Sequence, residues 1–220
     1  MGIALRRGVS FCEVSGRLIF LDIVADRYFA LEPEAERAFR DVAGGRSPAA
    51  ADGQLAGLMR RGLLRIAPDG DLPRPCTPSA TPALSLLDQA LPQVSAMSVL
   101  GAAGAVLHTR LKLRARGLAA VVRQVAQQKG AVRSDRSAPD RLQRVAAAFE
   151  RSNRLVRSHD QCLVRSAAAA SRLAALGIPA ELVIGVRARP FAAHCWVQHD
   201  QWLVNDRHDR VRAYTPILVI

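Results

Sequence analysis

Paired cysteines, lysine and long uncharged apolar runs are all scarce in this chain of 220 residues. The four Cys, at 12, 76, 162 and 195, have no paired spacing, which argues against a disulfide framework. His194, Cys195, His199 and His208 have neither the CxxC nor the HxxxH spacing of a metal site. The most apolar stretch, 94–113, is interrupted by His108, Arg110 and Lys112 before it could span a bilayer. Arg6 and Arg7 lead into Gly8 and Ser10 instead of an apolar run, so no signal peptide is expected. Met1-Gly2 lacks Ser or Thr at position 6, which disfavours myristoylation. No internal repeat occurs, and no GxxxxGK[ST] loop for nucleotide phosphates. The expectation is a soluble, cytoplasmic protein in a reducing setting, with no metal, no cofactor and no membrane partner.

What is present is mostly apolar and cationic. Half the residues are hydrophobic, enough for a real core. The net charge is +12, and its placement matters more than its size. Residues 1–75 carry 11 Arg against 10 Asp or Glu, close to neutral, while 76–220 hold 20 basic and 9 acidic residues. The excess concentrates between Arg110 and Arg165, on segments that read as helices, and only Lys112 and Lys129 are lysines. A solvated cationic face explains this better than a nucleic-acid surface, so no nucleic-acid partner is expected.

Five prolines between Pro68 and Pro82 preclude regular structure and mark a boundary. The reading is a domain at 1–70, a Pro-rich linker at 71–82 and a second domain at 83–220. In the first, residues 17–21 and 27–31 form a hairpin, with another strand at 9–14. Pro33 and the acids around it open a helix that ends at Gly44-Gly45, and a second helix runs from Asp52 to Arg61. This is a small domain of winged-helix type. In the second, helices are expected at 83–91, 97–114, 117–128 and 138–157, then one carrying Cys162 that ends at Gly177. Strands follow at 181–186, at His194 and at Trp202, with a last one at 211–219. Helices first and an antiparallel sheet after them make an α+β domain.

Three residues in that domain carry the chemistry. Cys162 lies near a helix N-terminus, where unpaired N–H groups favour a thiolate and can hold an oxyanion. Gln161 is a candidate second donor. His194 lies on one strand, and Asp206 closes the next. If 199–201 form a three-residue loop, Gln198 pairs with Trp202 and His194 lies opposite Asp206, with Cβ atoms about 4.5–5.5 Å apart. Asp206 would then hold the imidazole in one tautomer. Cys195 would point to the other face, which leaves Cys162 as the nucleophile. Helix, strand and strand in this order are how papain-like and transglutaminase-like folds build a cysteine nucleophile. Trp196 shares the His194 face, and His159 is a weaker rival base.

The strings Cys162-Leu163-Val164-Arg165-Ser166, Leu176 to Val186 and Pro190 to Val197 resemble the lasso peptide biosynthesis B proteins, a family of transglutaminase-like cysteine proteases. Leu18 to Asp22 with Arg27 to Leu31 looks like that family's RiPP recognition element, so the chain resembles the fused form. Cys195 departs from the pattern, where Ala usually precedes the Trp. The resemblance implies that the N-terminal domain captures the leader of a ribosomal precursor peptide as an added strand. Its contacts would come from Arg27, Tyr28, Phe29 and Leu31, with Leu55, Leu58 and Met59 of the following helix. It implies that Cys162, His194 and Asp206 cut the leader–core bond, and that an ATP-dependent lasso cyclase takes the core. Acyl transfer to an amine on the same triad stays open beside hydrolysis. So does a non-catalytic winged-helix regulator, against which the near-neutral first domain argues.

Overall fold

Short apolar runs broken by tight turns build the first part of the chain. The computed structural model describes residues 2–46, 53–67, 71–132, 139–156 and 162–220. The chain divides into two units, Met1–Cys76 and Thr77–Ile220.

In the first unit β2 (Val9–Val14), β3 (Arg17–Asp22) and β4 (Arg27–Ala30) form an antiparallel meander in the order β2-β3-β4. Val14 pairs with Arg17, so Ser15 and Gly16 alone make the first turn, both with positive φ (52° and 77°). That is the two-residue geometry whose twist suits a hairpin. Asp22 closes the second turn, its Oδ1 accepting from the N–H groups of Val24 and Ala25, both at 3.1 Å. A second sheet pairs β1 (Gly2–Leu5) with β5 (Leu64–Ala67), antiparallel. Residues 2–5 carry no assignment in the sequence reading, because four residues show too little periodicity.

Helix α1 (Pro33–Ala43) starts where the sequence places it, with Pro33 in its first turn and Glu34 and Glu36 at the positive end of its dipole. Helix α2 spans Gly53–Arg60; Asp52, the expected start, lies outside the described residues. Phe39 meets Phe11 and Phe20 edge-on, each at 5.0 Å between ring centroids. Leu18, Leu31 and Leu58 complete that core. Glu36 is buried, yet Arg17 Nε donates to it at 3.0 Å and the Leu18 N–H at 3.2 Å, which compensates the desolvated carboxylate.

The second unit holds five strands in the order β10-β7-β8-β9-β6: β6 (Leu84–Ser85), β7 (Glu181–Arg187), β8 (Ala192–His199), β9 (Trp202–Leu203) and β10 (Thr215–Val219). All pairs are antiparallel except β6 with β9. Residues 83–91, expected as a helix, instead supply β6 and a 3-10 turn at Leu86–Asp88. The N–H groups of Ala83 and Leu84 both reach the carbonyl of Gln201, and pairing with β9 overrides the local helical pattern. The expected strand at 211–219 is likewise shorter, because α6 (His208–Val211) precedes β10.

Helix α3 (Ala96–Gly130) is broken at Gly117, where φ 73° and ψ 176° leave helical space. The two expected helices, 97–114 and 117–128, are its halves. Lys112 Nζ donates to Gln124 Oε1 across the break. A straight helix would separate those residues by about 18 Å, so the chain doubles back. Helix α4 (Pro139–Ser152) and α5 (Cys162–Ala175) follow. Ala167 to Ala170 are all buried, and such small side chains let α5 pack closely on α3, α4 and β8. A helix buried on most faces is a central element, and the sequence sets Cys162 at its first turn.

Candidate active site

Cys162, His194 and Asp206 converge. Asp206 Oδ2 accepts a hydrogen bond from Nε2 of His194, with both side chains buried. The other ring nitrogen, Nδ1, is left for the Cys162 thiol, with which His194 is also hydrogen bonded. Burial disfavours the imidazolium, but the hydrogen bonds and charges of Asp206 and Cys162 outweigh it and raise the His194 pKa to about 9. Burial also opposes the Cys162 thiolate. There the His194 hydrogen bond and charge win, helped by backbone hydrogen bonds from Cys195 and Leu163, and the thiol pKa falls below its usual value. The two shifts act in the same sense, each favouring the charged form of its group beside the other.

The register differs from the one expected. His199 pairs with Trp202 and Gln198 with Leu203, so the hairpin loop is two residues, Asp200 and Gln201. Asp200 takes the left-handed conformation (φ 51°) that Asp tolerates better than most residues. In this register the residue opposite His194 would be Arg207, and Asp206 would share the face of Cys195. Asp206 reaches His194 because β9 ends at Leu203 and the chain leaves the ladder after Val204. Ser85 Oγ donates to the carbonyl of Asp206 at 2.8 Å, and the N–H of Arg207 donates to its Oδ1 at 2.8 Å, which fixes the carboxylate.

A cleft of about 1280 Å³ opens over these groups, lined also by Glu150, Arg165, Arg207, Arg210 and Tyr214. Tyr214 covers the imidazole, 5.1 Å between ring centroids. Cys195, next in sequence to the base, is buried, and desolvation pushes its thiol well above the ordinary value. It is a poor nucleophile. Trp196 is a packing residue, 1% exposed and donating from Nε1 to Gln198 at 3.1 Å. Gln161 and His159 lie outside the described residues. His199 and His208 do not gather with other ligands, and among the described residues no group of three His, Cys, Asp or Glu could hold a metal.

The residues expected to contact a leader divide in two. Leu31 and Leu58 are buried in the first unit's core and face inward, so they are not available to a peptide. Arg27 is exposed, and Tyr28, Phe29, Leu55 and Met59 are half-buried. Arg27 lies over the Phe29 ring, 5.5 Å from its centroid. Sequence reasoning missed Ser85, Ser166, Asn205 and Tyr214, all of which touch the site. Only Asn205, beside Asp206, carries any signal, since an Asn at a strand end often bonds the backbone.

A half-buried thiol at a helix start, beside a carboxylate-bound histidine on a strand, is the arrangement in which cysteine nucleophiles are activated. Residues 105–219, just over half of the chain, match the model of the transglutaminase-like superfamily. The chain belongs to that superfamily, whose members are typically cysteine-based proteases or acyltransferases. No curated protein matches the chain, and neither does any solved structure. Among the described residues no helix is long and apolar enough to cross a membrane.

Proposed function

We propose that this chain is a leader peptidase of lasso peptide maturation, binding the precursor through its first unit and cutting the leader–core bond with Cys162. The observation that carries the reading is the convergence of Cys162 and His194 in one cleft, with His194 held by Asp206. Cys162 Sγ attacks the scissile carbonyl, forming a C–S bond. His194 gives its proton to the departing amine of the core as the C–N bond breaks. Water, deprotonated by the same imidazole, then releases the leader as a carboxylic acid. The backbone N–H groups of Leu163 and Cys195, which hydrogen bond Cys162, would serve as donors to the oxyanion.

The first unit supports the peptide-binding half of the reading. It is a small unit of strands and two helices with its own apolar core, as a recognition element would need. Strand β4 is an edge of its meander, paired only with β3 among the described residues. An extended leader would add to that edge through main-chain hydrogen bonds, with Arg27, Tyr28, Phe29, Leu55 and Met59 supplying side-chain contacts. The released core would pass to an ATP-dependent cyclase. The test is to incubate the protein with its precursor peptide and follow mass and leader binding together. Wild type releases the leader; Cys162→Ala and His194→Ala release none yet bind a fluorescent leader with unchanged affinity. Leader binding lost together with cleavage in Cys162→Ala would contradict this division of labour.

A further inference from the structure

We infer that Asn205 is a positioning residue whose side chain ends strand β9 and turns Asp206 onto His194. This rests on reading Cys162, His194 and Asp206 as one acyl-transfer site. The ladder itself shows the need. With His199 opposite Trp202, continued pairing would set Asp206 across from Cys195, on the face turned away from the imidazole. The pairing instead stops halfway through one residue. The N–H of Val204 still donates to the carbonyl of Val197 at 2.9 Å. The return bond, from the N–H of Val197, goes at 2.8 Å to Oδ1 of Asn205 and not to a β9 carbonyl. A side-chain amide has taken the place of the next backbone acceptor, so the chain is free to leave the sheet at the residue before Asp206.

The amide is anchored from its other end. Asn205 Nδ2 donates to Ser166 Oγ at 2.8 Å, and Ser166 Oγ donates to the carbonyl of Cys195 at 2.9 Å. Ser166 is fully buried, so this bond chain has no solvent to fall back on. Its members shadow the three reacting residues. Ser166 is one turn beyond Cys162 on α5, Cys195 follows His194 on β8, and Asn205 precedes Asp206. One set of hydrogen bonds thus ties together the three backbones that carry nucleophile, base and carboxylate. Although Asn205 and Cys195 also line the cleft, the bridge acts through Asp206.

The test is the rate of Cys162 alkylation by iodoacetamide across pH, read by peptide mass mapping on the full chain, with thermal midpoints measured alongside. Alkylation needs no peptide substrate, so its outcome is separable from that of the leader-peptidase reading. Asn205→Ala should slow alkylation at neutral pH by about tenfold and move the profile to higher pH, as Asp206→Ala does, because the thiolate loses its imidazolium partner. In the Asp206→Ala background, Asn205→Ala should have no further effect. A lowered thermal midpoint with an unmoved profile would make the bridge merely structural and overturn the proposal. So would a further tenfold loss in the double variant. Should Asn205→Ala not fold, Ser166→Ala, which frees Asn205 Nδ2, carries the same test. A profile moved in the same direction supports the bridge, and an unmoved one overturns it.

Discussion

Gly185 is the position where one added carbon most directly disturbs the site. It pairs with His194 across β7 and β8. A Cβ there would lie 2.7 Å from both Cη2 and Cζ3 of the Trp196 ring and 3.0 Å from Cβ of Tyr214. Ordinary contact needs about 3.5–4.0 Å, so the indole would have to move by roughly 1 Å. It has nowhere to go, because Val183, Leu203 and Val211 close around it and Nε1 is held by Gln198. Overpacking of this kind costs about 1–3 kcal/mol, and loosening the indole hydrogen bond adds about 1 kcal/mol. At roughly 3 °C per kcal/mol for a chain this size, Gly185→Ala should lower the thermal midpoint by about 6–12 °C. Trp196 and Tyr214 flank the His194 ring, so Cys162 alkylation in the folded variant should also slow. Thermal unfolding by near-ultraviolet circular dichroism reads the first effect and peptide mapping the second. A midpoint within about 1 °C of wild type would refute the packing argument.

Other expectations follow from the same contacts. Catalysis needs a protonated His194, so cleavage should decline as pH rises through about 9, seen in the pH dependence of kcat/KM. The stability linkage behaves differently. His194 contributes stability that is complete below its unfolded value of 6.5 and lost as pH rises through about 9. Cys162, whose pKa is depressed, contributes stability that is complete above 9.0 and lost as pH falls through its folded value. Between those limits the two trends oppose. In Cys162→Ala only the His194 contribution remains, held by Asp206, so the thermal midpoint of that variant should fall as pH rises above 6.5, more steeply than in wild type. Iodoacetamide should label Cys162 in the native protein and reach the buried Cys195 only after unfolding, as peptide mapping would show. Phe39→Ala removes the ring that meets Phe11 and Phe20, and should cost about 3–5 kcal/mol in urea denaturation.

The meeting of Cys162, His194 and Asp206 is legible in the sequence because each carries a local mark. Cys162 opens an Ala-rich helical pattern, His194 lies in a short aromatic strand, and Asp206 closes the next apolar run. The break at Gly117 and the start of α1 at Pro33 are readable for the same reason: their residues have few backbone options. The way Asp206 meets His194 was not legible. Asp200-Gln201 lacks the Asn-Gly or Asp-Gly mark of a two-residue turn, so a longer loop looks equally good. The compensating device, a side-chain amide standing in for a ladder carbonyl, leaves no periodic trace. The strand at Leu84–Ser85 is hidden likewise, because its partner lies more than a hundred residues away and its own Leu-rich run suits a helix. Leu31 and Leu58 mark the limit of reading a binding face from apolar residues alone, since core and interface draw on the same ones.

The most direct measurement is the intact mass of the chain after acid quench of a mixture with its precursor peptide. Wild type should carry a transient adduct of leader mass less one water, mapped to Cys162, while free core accumulates. Cys162→Ala should show neither adduct nor cleavage. Cleavage at the wild-type rate by Cys162→Ala would contradict the assignment of Cys162 as the nucleophile.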